Sequence, residues 1–382
     1  MDFGICKNEL IRQYQDKYYI YKGPTMTNLA IIGAEKSGRT SLAANLGKKG
    51  TSSDITMYNN DEESRKMVFV EPQGYPKSLK SLVAALNISE ITILCIPPDG
   101  LERDNPASVH TGECIVALDL LGFKHGIIVL TKSDSTHMHA IDELNKKIKV
   151  MIAGTILQDW KCISINTNKN AKKPFEGVED LRSRINLIAE KIEAEQAKLN
   201  KLPTRIFIDH AFNVTGKGCV VLGIVKQGIS KDKDKTKIFP LNRDIEIRSI
   251  QSHDVDIESA PTGTRVGMRL KNVQAKYIER GFIISDKEIV STDYILECTL
   301  SKFTRKVEVS SVLHLFVGLQ SEPVRVKKIL VDGQEVQEVK SGVTSVLELS
   351  GNKKVAYSKE DLFLLANLDL TQRLVARGFS KC

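Results

Sequence analysis

The hydrophobic pattern of this chain changes at Pro203, and that change constrains the fold more than any other feature of the sequence. Before Pro203, short apolar runs alternate with amphipathic segments, a pattern that predicts a parallel sheet with helices on both faces. After Pro203, short runs with a period of two are separated by glycines and charged residues, as expected for small antiparallel barrels or sandwiches. The sequence therefore predicts an α/β domain followed by β-only domains.

Four segments are predicted along the chain. An amphipathic helix from Leu181 to Leu199 precedes Pro203, and a break near Ile289 to Thr292 divides the β region in two. Residues 1–25 follow neither pattern, so they are either a loose extension or an overlong start. A length of 382 residues suits several domains, because one core rarely exceeds about 250–300 residues. We therefore expect an extension at residues 1–26, an α/β domain at residues 27–202, and β-barrels at residues 203–290 and 291–382.

Composition and charge exclude some classes of protein. Hydrophobic residues at 41% and charged residues at 27% are typical of a folded chain and argue against wholesale disorder. The seven cysteines are scattered singly, without the close pairs of a zinc site or a disulfide framework, so we expect a cytoplasmic protein. The apolar runs are too short to span a membrane. A net charge of +8 suits a polyanionic partner but is equally common in proteins that bind none.

The loop Gly-Ala-Glu-Lys-Ser-Gly-Arg-Thr, from Gly33 to Thr40, has the spacing of a phosphate-binding loop. It follows the apolar strand at residues 29–32 and precedes a helical segment, which is the context that such a loop requires. Arg39 stands where the loop normally has a lysine, and its planar, bulkier head fits a tight backbone cradle less well. Thr40 keeps the hydroxyl that would hold Mg²⁺. Gly33, Gly38, Arg39 and Thr40 are therefore candidate nucleotide contacts.

A second motif, Glu-Pro-Gln-Gly-Tyr, follows the apolar strand at residues 66–70. It stands where nucleotide hydrolases of this type carry Asp-x-x-Gly and then a side chain that orients the attacking water. Glu71 is one methylene longer than aspartate, and the phenol of Tyr75 replaces that side chain poorly. Gly74 is retained as a candidate phosphate contact, whereas residues 41–70 contain no recognisable effector loop. Hydrolysis is therefore not expected.

The guanine-binding end is better preserved than the phosphate end. Thr131, Lys132 and Asp134 belong to a Thr-Lys-Ser-Asp loop after the apolar run at residues 126–130, where a carboxylate could pair with the N1 and N2 hydrogens of guanine. Ser164 lies where the last base contact is expected. Each motif alone often marks only a strand-to-helix connection, so a domain kept as a scaffold is the alternative. Together they predict an ancestral GTPase domain, in which GTP or GDP and Mg²⁺ are possible ligands.

In this order the motifs resemble the elongation factor Tu family of translational GTPases. The resemblance covers roughly residues 27–382 and is closest to the selenocysteine-specific branch. The segments that carry it are NLAIIGAEKSGRTSL, EPQGY, residues 209–218, residues 247–253 and residues 263–267. The resemblance implies a P-loop GTPase-like α/β domain followed by two antiparallel β-barrels.

The same resemblance implies a pocket in the first barrel. In the selenocysteine-specific branch, an acidic residue, a basic residue after it and an arginine read the charged selenol of selenocysteyl-tRNA, and Asp209, His210 and Arg265 match those positions. A basic pocket would distinguish an anionic selenolate from the neutral hydroxyl of serine. The alternative is that Asp209 and Arg265 form a simple ion pair on the barrel rim.

In this family the second barrel holds the stem of tRNA mainly through phosphate contacts. That implies a set of candidate backbone contacts among the basic residues of the last predicted segment. These residues are Lys302, Arg305, Lys306, Arg325, Lys327 and Lys328.

These observations lead to a functional hypothesis. We expect a monomeric translation-elongation-factor-like protein that binds tRNA, with the ribosome as a possible further partner, and whose degenerate GTPase domain does not act as an enzyme. A working GTP-binding elongation factor that delivers aminoacyl-tRNA is the first alternative. The second is a pseudo-GTPase that serves as a platform for a protein partner.

Overall fold

The computed structural model of the chain describes residues 26–62, 65–102, 105–135, 138–171 and 173–381. The predicted N-terminal extension lies outside the described residues except for Met26, which is the first residue of the first strand. Among the described residues, no helix is long and apolar enough to cross a membrane.

Strands and helices alternate in the first half of the described chain. The helices are α1 (Arg39–Leu46), α2 (Leu79–Asn87), α3 (Pro106–Leu121), α4 (Met138–Ile152) and α5 (Val178–Leu199). The strands are β1 (Met26–Gly33), β2 (Lys48–Ser52), β3 (Thr56–Glu62), β4 (Arg65–Glu71), β5 (Ile91–Ile96), β6 (Gly126–Leu130) and β7 (Lys161–Ser164).

These strands form one sheet in the order β2-β3-β4-β1-β5-β6-β7. The neighbours from β4 to β7 are parallel, as predicted, whereas β2 and β3 add an antiparallel edge that the sequence pattern did not reveal. The predicted parallel sheet is therefore present, and the antiparallel edge is an addition to it. The sequence pattern did not reveal this edge because a hairpin with the sequences KKGTS and TMYNNDE contains too few apolar residues to give a strand signal.

Side chains along each central strand point alternately to the two faces of the sheet, so the sheet has one hydrophobic core on each face. In β1, Ala30 and Ile32 pack with α2, α3 and α4, while Leu29 and Ile31 pack on the opposite face with α1 and α5. Successive side chains of a strand point to opposite faces, so a strand that is apolar throughout requires helices on both sides. This arrangement brings the carboxyl ends of β1, β4 and β6, and the loops that follow them, to one edge of the sheet.

The chain after Pro203 forms the first of two closed barrels. Six strands follow each other in the order β11-β16-β8-β9-β15-β12, and pairing of β11 with β12 closes the ring. The strands of this region are β8 (Arg205–Val214), β9 (Gly218–Gln227), β10 (Ile229–Lys231), β11 (Lys235–Phe239), β12 (Arg243–Ser252), β13 (Val255–Ile257), β14 (Ser259–Pro261), β15 (Arg265–Lys271) and β16 (Ile283–Ser285).

The second barrel closes in the same way. Its six strands run in the order β19-β24-β25-β17-β23-β20, and β19 pairs with β20. The strands are β17 (Ile289–Leu300), β18 (Lys306–Glu308), β19 (Val312–Val317), β20 (Gln320–Val331), β21 (Gln334–Val336), β22 (Glu338–Lys340), β23 (Thr344–Tyr357), β24 (Leu362–Ala366) and β25 (Leu374–Ser380). The predicted fold class is confirmed. The exact domain boundaries stay a prediction, and residue 290 is the second residue of β17.

The three units share one buried cluster. Val70 of the sheet, Phe207 and Ile283 of the first barrel, and Leu319 and Ala356 of the second barrel all belong to it and are at most 6% exposed. Burial of apolar surface stabilises by about 25 cal/mol per Å². The hydrophobic contact therefore holds all three units together at one point.

Candidate nucleotide cleft and aminoacyl pocket

The predicted phosphate loop joins β1 to α1 and bends as such a loop must. Gly38 has a φ of 86° and lies directly before α1. A Cβ at Gly33 would lie 2.5 Å from the carbonyl oxygen of Cys95, so only glycine fits there. The loop borders an open cleft of about 690 Å³, which is lined by Glu35, Lys36, Ser37, Gly38, Arg39, Thr40, Ser41, Gln73, Gly74, Tyr75, Pro76, Lys77 and Lys132.

Arg39 is bound by the protein itself. Its Nη1 donates to the carbonyl oxygen of Gly33 at 2.7 Å, and its Nη2 donates to that of Tyr75 at 2.6 Å. Its Nε lies 3.4 Å from a carboxylate oxygen of Glu71. The residue is only 8% exposed. Arg39 therefore ties the phosphate loop to the Glu-Pro-Gln-Gly-Tyr segment, and in this conformation these protein oxygens take the contacts that its predicted phosphate role would require.

Glu71 is the acceptor at the centre of this contact. It is fully buried and accepts hydrogen bonds from the Thr40 hydroxyl at 2.5 Å, the Tyr58 hydroxyl at 3.0 Å and the Gln73 amide at 2.8 Å. Burial and the neighbouring Glu71 raise the pKa of Tyr58 to about 12, so that phenol stays a donor at neutral pH. A buried carboxylate requires such partners, and Arg39 balances its charge.

The same contacts test whether Mg²⁺ fits the cleft. Mg²⁺ prefers several oxygen ligands in octahedral geometry, commonly with one or two carboxylates. Thr40 could still offer a lone pair, but Mg²⁺ would have to compete with Arg39 for the charge of Glu71. The residues present therefore do not fit the metal in the usual way. Across the described residues, no group of three or more histidine, cysteine, aspartate or glutamate side chains could hold a metal ion.

Tyr75 directs its hydroxyl into the protein. The residue is 1% exposed, and its oxygen lies 2.9 Å from the His110 carbonyl oxygen and 3.0 Å from the Glu113 carboxylate. Burial, together with nearby Cys114 and Glu113, raises the pKa of Tyr75 well above its usual range, so the hydroxyl remains a donor.

The Tyr75 ring also lies between two arginines. The guanidinium carbons of Arg39 and Arg373 lie 6.0 Å and 5.9 Å from the centre of its ring. Arg373 of the second barrel donates from Nε to Glu113 at 2.8 Å and also from Nη2. The position that would orient water is thus part of the contact between α3 and the second barrel. Glu113 and Arg373 are 260 residues apart in sequence, so no local pattern could have paired them.

The residues of the predicted guanine-binding end also form hydrogen bonds within the protein. The Thr131 hydroxyl donates to the Ser37 carbonyl oxygen at 2.7 Å and so braces the phosphate loop. Asp134 accepts from the side-chain amide of Asn168 at 2.9 Å. Lys132 lines the cleft, and Ser164 ends β7 in a half-buried position. The structure therefore arranges these residues around one edge of the sheet, and their contact with guanine stays a prediction. Asn168 was missed, because an asparagine-rich loop reads only as a turn.

In the first barrel, the three predicted pocket residues lie together. Nδ1 of His210 is 3.0 Å from Oδ2 of Asp209, and Nη2 of Arg265 is 3.8 Å from the same oxygen. The pairing of β8 with β9 shifts register between Ile208 and His210, and a β-bulge of this kind can turn two successive side chains toward one cluster. Asp209 is 4% exposed. Burial opposes its charge, but His210, Arg280 and Arg265 together lower the pKa of Asp209.

Arg280 is a fourth member of this cluster that the sequence analysis missed. Its Nη2 lies 2.9 Å from Oδ1 of Asp209, and its Nη1 donates to both carboxylate oxygens of Asp54 at 2.8 Å and 2.7 Å. Asp54 belongs to the turn between β2 and β3 of the α/β unit. A single arginine in a Glu-Arg-Gly turn carries no pattern that sequence reasoning could use.

Of the six basic residues predicted to contact the tRNA backbone, two form ion pairs with carboxylates. Lys306 pairs with Glu308 and Glu338, and Lys328 pairs with Glu335 at 3.2 Å. The other four, Lys302, Arg305, Arg325 and Lys327, are exposed. Arg325 donates to the carbonyl oxygen of Ser310, which lies two residues beyond β18. Lys302 and Arg305 come directly before the same strand. The predicted role of the six residues rests most directly on these other four side chains, which pair with no carboxylate among the described residues.

Comparison with known proteins gives concordant results. The chain is 28% identical over 335 residues to an uncharacterized protein of Methanocaldococcus jannaschii, covering 87% of this chain and 94% of that protein. It is 25% identical over 377 residues to the selenocysteine-specific elongation factor of the same organism, covering 90% of this chain and 76% of that factor. No protein-family model matches the chain.

Solved structures agree with the sequence comparison. The elongation factor SelB of Methanococcus maripaludis, in complex with the GTP analogue GppNHp, superposes with a TM-score of 0.78 at 25% identity over 94% of this chain and 80% of that chain. Its apo form gives a TM-score of 0.77 at 27% identity over the same shares. The resemblance predicted from the sequence is therefore confirmed.

Proposed function

We propose that this chain, a SelB-like relative within the elongation factor Tu family, binds tRNA without a cycle of GTP hydrolysis. The observation that carries the proposal is the contact of Arg39 with Gly33, Glu71 and Tyr75. A nucleotide switch works when a γ-phosphate and its metal hold two segments that separate after hydrolysis. In this chain, Arg39 joins those two segments without a nucleotide.

The absence of hydrolysis is supported by Tyr75. A side chain that orients attacking water must present its polar atom to the nucleotide. The Tyr75 hydroxyl instead lies against the His110 carbonyl oxygen and Glu113, and its raised pKa keeps it protonated, so it cannot take a proton from water. Removing one well-placed catalytic group commonly costs a factor of about 10²–10⁴ in rate.

The tRNA ligand is supported by the two barrels. Asp209, His210 and Arg265 form a charged cluster around the buried Asp209 carboxylate. The resemblance implies that residues at these positions read the aminoacyl group in the selenocysteine-specific branch. Contact with the Asp209 carboxylate raises the pKa of His210, which favours the cationic form and so an anionic aminoacyl side chain. The exposed Arg325 and Lys327 of the second barrel would contact the phosphate backbone. The ribosome is a further partner under the same proposal.

Binding of one labelled tRNA tests this function. Filter binding would be measured with GTP and Mg²⁺, with GDP and Mg²⁺, and with EDTA alone, at two salt concentrations. We expect the same Kd in all three solutions and weaker binding at higher salt, because phosphate contacts release counterions. A nucleotide-dependent change in Kd of more than about tenfold, or about 1.4 kcal/mol, would contradict the proposal.

Two sets of substitutions, measured in the same filter-binding assay, test whether tRNA binds to the second barrel. Replacing Arg325 and Lys327 by glutamine should weaken binding and reduce the salt slope by about one unit per lost phosphate contact. Lys191→Gln, an equally exposed lysine on α5, is the matched control and should leave both quantities unchanged. If Lys191→Gln weakened tRNA binding as much as the replacements of Arg325 and Lys327, the result would argue against a specific surface on the second barrel.

One observation favours a second candidate, a working GTP-binding elongation factor. The phosphate loop keeps its bend, and the 690 Å³ cleft is lined by Lys36, Lys77 and Lys132. Helix N-termini and lysines attract phosphates. Isothermal titration with GTP and GDP separates the candidates, because a working factor must bind GTP tightly and lose affinity for tRNA once GTP is replaced by GDP.

A further inference from the structure

We propose that Arg280 is a positioning residue of the first-barrel pocket and makes the pocket's shape depend on the docking of the α/β unit through Asp54. The inference rests on the proposed function, since it concerns the same pocket. Arg280 belongs to the first barrel, and Asp54 belongs to the turn between β2 and β3. The two residues are 226 positions apart in sequence, and Nη1 of Arg280 donates to both carboxylate oxygens of Asp54.

The pocket contains polar atoms that the protein does not satisfy. Among the described residues, Oδ1 of Asp209, Nδ1 of His210, Nη1 of Arg265, and Nε and Nη2 of Arg280 are buried without a hydrogen-bond partner. Of these, Nη2 of Arg280 and Nδ1 of His210 form ion pairs with Asp209 at 2.9 Å and 3.0 Å, so the atoms left without a partner are Nη1 of Arg265 and Nε of Arg280. Unsatisfied buried polar groups are costly, so their convergence points to a ligand that completes them.

Arg280 holds Asp209 in place for that ligand. Arg280 Nη2 is the nearer guanidinium contact of Asp209, at 2.9 Å, whereas the Arg265 contact is 3.8 Å. With His210 protonated, the cluster has a net charge of +1, because His210, Arg265 and Arg280 face only Asp54 and Asp209. Loss of Arg280 leaves Asp209 attracted more strongly to Arg265, which would withdraw that guanidinium from an anionic ligand.

Asp54 carries the connection into the α/β unit. Its carbonyl oxygen accepts from the backbone amide of Gly74 at 3.0 Å, and Oδ2 accepts from the Ser81 hydroxyl at 3.2 Å. Burial opposes ionisation, but Arg280 and the two serines around it lower the pKa of Asp54, so its charge is present at neutral pH. A continuous series of contacts therefore runs from Gly74 at the cleft through Asp54 and Arg280 to Asp209 in the pocket.

The consequence is that the pocket is complete only in the docked arrangement. A change at Asp54, which lies outside the pocket and touches no ligand, should alter recognition of the aminoacyl group. The rest of the tRNA surface, which the proposal assigns to the second barrel, should be unaffected.

One experiment measures both effects. The probes are one tRNA in cysteine-charged, serine-charged and uncharged forms, bound to the full-length chain and to the variants Arg280→Met, Arg280→Lys and Asp54→Asn. We expect wild type to prefer the cysteine-charged form, and Arg280→Met and Asp54→Asn to lose about tenfold of that preference. Affinity for uncharged tRNA should stay within about twofold, and Arg280→Lys should recover part of the loss.

Controls separate the possible failures. Arg248→Met removes another arginine of the first barrel that pairs with Glu246 instead, and it should behave as wild type. If Arg280→Met does not fold, Asp54→Asn and Arg280→Lys still test whether the contact between Arg280 and Asp54 shapes the pocket. Full preference for the cysteine-charged form in Asp54→Asn would overturn the inference. Absence of any binding of uncharged tRNA by wild type at low salt would instead overturn the proposed function.

Discussion

At the scale of single residues, the exchange of lysine for arginine in the phosphate loop has the largest physical effect. A lysine could not reach three protein oxygens with a planar head, whereas Arg39 contacts Gly33, Tyr75 and Glu71 at once. Sequence reasoning predicted that Arg39 would weaken a phosphate contact. It could not predict that the guanidinium binds Glu71, because that contact depends on how closely β1 and β4 lie.

Removal of this arginine gives a stability prediction. Arg39→Met should leave the fully buried Glu71 without its charge partner and lower the free energy of unfolding by about 3–5 kcal/mol. Arg184→Met is the matched control, because Arg184 pairs with Asp180 on the exposed face of α5, where such pairs contribute about 0.5 kcal/mol or less. Urea unfolding measures both variants. A loss below about 1 kcal/mol for Arg39→Met would show that Glu71 is satisfied without it.

His210 gives a prediction about pH. Its pKa is raised in the folded protein by contact with the Asp209 carboxylate, above about 6.5 in the unfolded chain. The folded state therefore binds the proton more tightly, so the stabilisation is fully present below pH 6.5 and disappears as the pH rises through the folded pKa. Thermal unfolding between pH 5.5 and 8.5 should show this loss in wild type and not in His210→Asn. Identical pH profiles would contradict the ion pair.

At the residue scale, the pocket shows what a resemblance can and cannot supply. Asp209, His210 and Arg265 were located from motif positions and lie together, although their binding role stays a prediction. Arg280 joins them from a turn with no pattern of its own, and Asp54 joins them from a different unit of the chain. Such contacts follow from the packing of the units and are not encoded in any local segment.

At the scale of elements, the helices and strands with a clear apolar periodicity are the ones that the sequence predicts. Helix α5 was located from its spacing of three and four, and the central strands were located from their apolar runs. The strands β2 and β3 were not, because their sequences, KKGTS and TMYNNDE, are mostly polar. The same two strands carry Asp54 in their turn, so the missed element is the one that links the cleft to the pocket.

The junction of β1 and α1 gives a prediction at this scale. Gly33→Ala would place a Cβ 2.5 Å from the Cys95 carbonyl oxygen at a φ of 154°, and should destabilise the α/β unit by about 1–3 kcal/mol. Gly112→Ala in α3 is the matched control, since a Cβ there meets nothing within 4 Å and should stabilise the helix by about 0.5–1 kcal/mol. Thermal denaturation distinguishes them, and equal melting temperatures would contradict the tight packing of the loop.

At the scale of the whole molecule, each pair of units is joined by an arginine and a carboxylate. Arg280 pairs with Asp54, Arg373 with Glu113, and Arg205 of the first barrel with Asp361 of the second at 2.7 Å. Arg373 with Glu113 and Arg205 with Asp361 each use two guanidinium nitrogens and both carboxylate oxygens, whereas Arg280 contacts Asp54 through Nη1 alone. The arrangement of the three units is therefore supported by groups of the protein itself, which is the physical reason to expect no dependence on nucleotide.

Release of inorganic phosphate from GTP shows whether this chain hydrolyses the nucleotide. Purified chain would be incubated with GTP and Mg²⁺ under single-turnover conditions, alone and with ribosomes and tRNA, beside Arg39→Lys as a comparison. We expect no phosphate release above the uncatalysed background from wild type in any mixture, because Arg39 and Tyr75 bind groups of the protein. Phosphate release by wild type above that background, accelerated by ribosomes, would contradict this expectation.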